Sequence, residues 1–270
     1  MKILMYGDVV ARSGRDATLA HIVKMKQREE IDVVVVNVDN AAHGFGITEE
    51  MADEFFAAGA DVLTGGNHLF DQKTATTLLA KEKRLLRPAN MSGTIPGSGI
   101  LEITTRAGEK ALIVHLLGQK NMPLIGENPF NYMNNILAKY KLGQNVNAII
   151  VDFHAEVSSE KNAFGHFVDG RVSVVVGTHT HIPTADERIL EAGTAFQTDL
   201  GMCGDYNSVI GMQKQTIIEK FVKGFCNTRF APTSGNATVS SLLIETNDKT
   251  GLAISVRAIR EGGELRAVGI

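Results

Sequence analysis

The chain contains no tryptophan, and 12 Phe and 4 Tyr are its whole aromatic complement among 270 residues. Proteins that hold single-stranded nucleic acid stack bases on aromatic rings, and such a platform is poorly supplied here. A basic surplus is missing as well: the formal net charge is −3. Binding to a phosphate backbone draws on excess Lys and Arg, so long nucleic acid is not an expected partner. Cysteine is scarce. Cys203 and Cys226 show neither CxxC spacing nor a catalytic context, and are expected to be free thiols in a reducing compartment. No apolar run approaches the ~18 residues of a membrane span. The opening MKILMYGDVV meets Asp8 too early for a signal-peptide core. The expectation is a cytoplasmic protein with no membrane partner.

What is present is ordinary for a globular protein: 44% hydrophobic and 21% charged residues. One large α/β domain over residues 1–270 is the expected organisation. Lys2–Met5 reads as a strand, with Ser13 as cap of a helix to about Lys26. Asp32–Val36 is a continuous apolar run suited to a strand buried on both faces. Thr48 then starts a helix to about Ala58, Asp61–Thr64 is a third strand, and Asp71 is expected to cap the helix after it. Farther on, Gly99–Thr105 with Lys110–Leu116 and Val239–Thr246 with Ala253–Ile259 read as hairpins. Pro129–Lys141, Ser158–Asp169 and Met212–Gly224 read as helices, and Asn147–Phe153 and Thr194–Thr198 as strands. Parallel units mixed with terminal hairpins fit a two-sheet sandwich with helices outside.

The most informative stretch is Val172–His181, VSVVVGTHTH, a buried strand that ends by presenting His179 and His181. Asp8, Asp39 and Asn67 each follow a strand in the βαβ series, 31 and 28 residues apart. Right-handed βαβ units keep their strands parallel, so these polar ends share one sheet edge, where open α/β proteins build their sites. His154 ends another strand, and Asn40 and His68 adjoin two of the strand-end residues. Each residue alone has a structural explanation: a carboxylate can cap a helix, an Asn can take a turn, a His can sit satisfied in a core. Five strands ending independently in ligand chemistry is harder to explain that way. Two carboxylates, one or two amides and three or four imidazoles suit two adjacent divalent ions with open positions. The lack of a thiolate argues against a closed structural zinc site. His21, His115 and His166 are expected to be structural, His43 a substrate contact or supporting group, and Cys203 no nucleophile.

The blocks GD at 7–8, NVDNAAHGFGIT at 37–48, GNHLFD at 66–71, VDFHAE at 151–156, GTHTHIPT at 177–184 and QTDLGMCG at 197–204 together resemble the calcineurin-like metallophosphoesterases. The similarity is closer to the YmdB-type branch, bacterial 2′,3′-cyclic-nucleotide 2′-phosphodiesterases. This resemblance implies a four-layer αββα sandwich and two divalent transition-metal ions, Fe or Mn, with Zn as an alternative. It assigns Asp8, Asp39, Asn40 and His181 to one metal, and Asp39, Asn67, His154 and His179 to the other, with Asp39 bridging. His68 would be the general acid. The implied substrate is a small cyclic nucleotide or another phosphoester. A phosphomonoesterase or nuclease on the same site, and a regulatory nucleotide-binding module with little turnover, are the rival readings; self-association is left open. Two departures stand out. Val10 occupies the position where most of the superfamily has His, a loss the branch shares, and Asp39 stands where the branch normally has Glu.

Overall fold

The computed structural model describes residues 1–124 and 126–269. In chain order the elements are β1 (Lys2–Tyr6), β2 (Asp8–Val9), α1 (Ala11–Arg28), β3 (Val33–Asn37), α2 (Glu49–Ala58), β4 (Val62–Thr64), α3 (Ala75–Lys81) and β5 (Leu85–Leu86). There follow β6 (Ile100–Thr104), β7 (Lys110–Leu117), α4 (Pro129–Lys139), β8 (Ala148–His154), α5 (Ser158–Val168), β9 (Val174–Thr178) and β10 (Arg188–Ile189). The chain closes with β11 (Ala195–Gln197), β12 (Met202–Asp205), α6 (Lys214–Lys223), β13 (Ala237–Thr246) and β14 (Ala253–Glu261).

Among the described residues the strands form two sheets, ordered β2-β12-β13-β1-β3-β4-β5 with β14 on β13, and β10-β11-β9-β8-β7-β6. The βαβ units keep β1, β3, β4 and β5 parallel, and β7, β8, β9 and β11 are parallel in the other sheet. Side chains alternate across a strand with period two, and this sorts most of the core into three clusters, with a small fourth one of Val10, Ala11 and Met202 at the start of α1. Ile3, Met5, Val33, Val35 and Val62 face Ile113, Ile150, Val174 and Val176 between the sheets. Their neighbours Leu4, Tyr6, Val34, Val36 and Leu63 pack outward on Ile22 and Met25 of α1 and Phe55 of α2. On the far side Leu112, Val114, Ile149, Val151 and Val175 meet Met133 and Leu137 of α4 and Phe164 of α5. Three apolar interfaces separate four layers, and the fold is the αββα sandwich.

Two local expectations are corrected. Helix α1 starts at Ala11 after Val10, not at Ser13, and no side chain caps it. Its first turn is instead tied to the strand ends, Ala11 N–H donating to the Asn40 carbonyl and Val10 N–H to that of Cys203. Nor does Asp71 cap α3, which begins after Thr74; Asp71 closes a short 3-10 turn, Leu69–Asp71, where its carboxylate meets His68. By contrast, Thr48 caps α2 by accepting from Met51 N–H. The two hairpins pair as expected.

Candidate functional site

Period two also decides what lies at the C-terminal end of the layer between the sheets. Continuing Val33 and Val35 on the inner face gives Asn37; continuing Val62 gives Thr64; continuing Ala148 and Ile150 gives Asp152 and His154; continuing Val174 and Val176 gives Thr178. The apolar layer therefore becomes polar at one edge. Asp152 is its hub, accepting from Asn37 Nδ2 (3.0 Å), Thr64 Oγ1 (2.6 Å) and Thr178 Oγ1 (2.7 Å), so one carboxylate joins strands of both sheets. Burial opposes its charge, but His115, His154 and the Thr64 hydroxyl prevail and hold its pKa well below the usual range. His115 is wholly buried, with its Nε2 3.0 Å from the Gly65 carbonyl oxygen.

Above this layer sit the residues singled out in the sequence. His154 Nε2 lies 3.1 Å from Asn67 Oδ1, 3.2 Å from His179 Nδ1 and 3.4 Å from Asp39 Oδ2, while its Nδ1 contacts Thr178 Oγ1 at 2.9 Å. A second grouping joins His181 Nε2 to Asn40 Oδ1 at 3.2 Å. Asp8 accepts from His179 N–H at 3.0 Å, and Asp39 Oδ1 accepts from His68 N–H at 2.8 Å. All seven proposed metal donors and His68 thus come to one rim. Gly66 makes the approach possible, since a Cβ there would lie 2.2 Å from His154 Nε2.

The turn after β9 is strained: His179 and His181 take φ of +101° and +65°, which L residues seldom adopt. Asp199, unforeseen from the sequence, holds this turn. Its carboxylate accepts from Thr180 N–H (3.2 Å) and Gly201 N–H (2.8 Å) and pairs with the buried Lys161 Nζ at 2.6 Å. Lys161 also donates to the Thr178 carbonyl. Glu156, likewise unforeseen, lies 3.1 Å from His179 Nε2. Asp152 and Lys161 could have been found by counting face parity along β8 and helical spacing along α5; for Asp199 the sequence carries no such signal.

His68 is less enclosed. Its Nδ1 is 2.7 Å from Asp71 Oδ2, and the Phe45 ring packs edge-on with centroids 5.1 Å apart. The remaining histidines separate cleanly. His21 is buried on α1 with Nδ1 2.8 Å from Tyr6 Oη, His166 is exposed on α5, and His43 is exposed in the loop after Asn40. Cys203 is buried beneath the rim, and burial pushes its thiol up to about 11, which keeps it a thiol.

Do these residues fit a metal? Among the described residues no three His, Cys, Asp or Glu side chains stand ready-made around one point. The donor set here is instead mixed with the amides of Asn40 and Asn67. An imidazole nitrogen offers one proton or one lone pair, yet three donor atoms crowd His154 Nε2. Ligands bound at ~2.0–2.2 Å to one ion lie about 3–3.5 Å from one another, which is the spacing seen. Asp39 Oδ2 is buried without a hydrogen bond. Burial and the neighbouring Asp199 push the pKa of Asp8 well up, as expected of a carboxylate that takes up a cation readily. Burial pushes that of Asp39 up too, but His154 and His68 hold it below the usual range. The residues fit.

A four-layer sandwich whose two sheets deliver carboxylate, amide and imidazole donors to one edge is the architecture of a metallophosphoesterase. The chain belongs to the YmdB-like family, whose model matches residues 4–259. It is 39% identical over 259 residues to the 2′,3′-cyclic-nucleotide 2′-phosphodiesterase of Bacillus subtilis (strain 168), covering 96% of each chain. The crystal structure of a phosphatase from Mycoplasma pneumoniae superposes with a TM-score of 0.90 at 34% identity, over 97% of this chain and 93% of that one. That of a Thermus thermophilus protein gives 0.89 at 33%, over 98% and 100%.

Proposed function

We propose that this phosphoric diester hydrolase opens 2′,3′-cyclic nucleotides to 3′-nucleotides at two divalent transition-metal ions, iron or manganese. Asp8, Asp39, Asn40 and His181 would hold one ion and Asp39, Asn67, His154 and His179 the other, with Asp39 shared. Bound there, the pair would supply an activated water and a clamp on the phosphate oxygens. The observation that carries the proposal is the crowding of Asn67, His179 and Asp39 donors around His154 Nε2 within 3.1–3.4 Å. The cyclic-nucleotide activity of the Bacillus relative supports the substrate class.

The chain's own residues account for the rest. With Nδ1 of His68 engaged by Asp71, Nε2 is the atom left to carry a proton, and in this proposal it goes to the 2′-oxygen as the P–O2′ bond breaks. The His68 amide, donating to Asp39, keeps that ring beside the proposed metal donors. Asp152 and Asp199 do not face substrate; they hold the strand ends and the strained turn that present the donors.

The test is a substrate comparison with iron- or manganese-loaded protein. Turnover of 2′,3′-cyclic AMP to 3′-AMP, with linear dinucleotides and aryl phosphates much slower, is expected. Turnover of the linear or aryl substrates with cyclic nucleotides inert would replace this proposal with a nuclease or phosphomonoesterase. Binding of the cyclic nucleotide without product would replace it with a regulatory binding module.

A further inference from the structure

Three imidazoles at the rim each turn one ring nitrogen inward and one outward. His154 faces the donor cluster with Nε2, and its Nδ1 lies 2.9 Å from Thr178 Oγ1, whose own proton goes to Asp152 Oδ1 at 2.7 Å. His181 faces Asn40 with Nε2 and donates from Nδ1 to the Ile210 carbonyl at 2.9 Å. A carbonyl oxygen, or a hydroxyl whose proton is already given away, can only accept. Both rings therefore carry their proton outward and keep the inward lone pair free. His179 is mounted the other way round. Its Nδ1 faces inward, 3.2 Å from His154 Nε2, and its outward Nε2 lies 3.1 Å from Glu156 Oε2.

The fold sets Glu156 at that place. Strands β8 and β9 pair with His154 opposite Thr178, and one residue on, Ala155 N–H donates to the Thr178 carbonyl at 3.3 Å, so the next residue, Glu156, comes level with His179. We propose that Glu156 is a positioning residue: by accepting the Nε2 proton of His179 it fixes the tautomer and the ring orientation that aim Nδ1 at the ion shared with Asp39, Asn67 and His154. A carboxylate on the far nitrogen of a metal-binding imidazole also makes the near one a better donor. The step to the ion rests on the two-metal reading above; the step to the tautomer does not.

Two measurements on the full chain separate these steps. In the metal-free protein labelled with 15N-histidine, at about pH 8 where imidazoles are neutral, the His179 signals are identified by their loss in His179→Gln. The parent should show the Nε2–H form. Glu156→Ala should show a mixture of both forms, and Glu156→Gln, whose amide oxygen still accepts, should return to Nε2–H. The Glu156 side chain is 47% exposed, and all variants should keep the parent's circular dichroism. Titration with Mn(II) alone should then find one of two ions bound about 10–100-fold more weakly in Glu156→Ala, the other unchanged, and most of the loss recovered in Glu156→Gln. A parent with the proton on Nδ1, or a Glu156→Ala variant with the parent's tautomer, overturns the proposal. So does equal weakening of both ions, or a Glu156→Gln variant as weak as Glu156→Ala, since either would make Glu156 a source of charge and not of orientation. A parent that binds no manganese contradicts the two-metal reading instead, and the tautomer comparison still decides for or against Glu156.

Discussion

Ring orientation decides whether an imidazole can pass a proton, and at His68 the Asp71 carboxylate and the Phe45 ring set it. His68→Ala should keep its metal and lose about 10²–10⁴-fold in kcat. The loss should be smaller for nitrophenyl esters, whose leaving group needs no proton. Asp71→Asn should show the same leaving-group dependence in weaker form, with partial recovery in Asp71→Glu; a loss uniform across leaving groups would instead make Asp71 a purely structural contact. His21 supplies a prediction of another kind. Burial lowers its pKa although Glu261 works the other way. The unfolded chain, with His near 6.5, then binds a proton that native His21 does not, so stability is present above that pH and is lost as pH falls through it. Thermal midpoints should drop more between about pH 7.5 and about pH 5.5 in the parent than in His21→Gln. Equal drops would show that other groups carry the acid sensitivity.

Strand ends and the turns after them do most of the positioning. Gly66→Ala would drive a methyl into the His154 ring, and the expected result is a folded protein with lost metal and lost activity. Normal metal content in that variant would show that the β4 turn can yield. Lys161 and Asp199 are each 1% exposed and directly paired. Lys161→Met leaves a buried carboxylate without its counter-charge and should cost about 3–5 kcal/mol. Calorimetry would register this as a fall of roughly 6–20 °C in the thermal midpoint; a fall of a degree or two would mean that Asp199 finds another partner or takes up a proton. These elements also show where sequence reasoning stopped. β3 and β8 were legible because β-branched and aliphatic runs of strand length have few other uses. The start of α1 was not, because Ser13 resembles a cap while the first turn is set by backbone bonds to Asn40 and Cys203. Asp71 was misread for the same reason: an Asp before a helix looks like a cap until its partner, His68, is seen.

At the scale of the whole molecule, the four layers follow from alternation in the strands, and the shared edge of Asp8, Asp39 and Asn67 follows from the handedness of βαβ units. What one chain segment cannot reveal is how two sheets face each other. Asp152 reads as an ordinary polar residue in VDFHAE, yet it accepts from Asn37 and Thr64 of the opposite sheet. The segment 212–224 reads as a helix, and nothing in its sequence shows that α6 has no core beneath it, although none of its ten residues is buried. The central claim concerns the edge the sheets share, and metal analysis of three proteins tests it most directly. After anaerobic loading with iron or manganese and removal of free ions, the parent should hold close to two ions per chain. His181→Ala, which removes a donor from one proposed ion only, should hold about one, and Asp39→Asn, which removes the shared charge, well under one. A parent with less than half an ion per chain, or three proteins with the same content, would contradict the two-metal account.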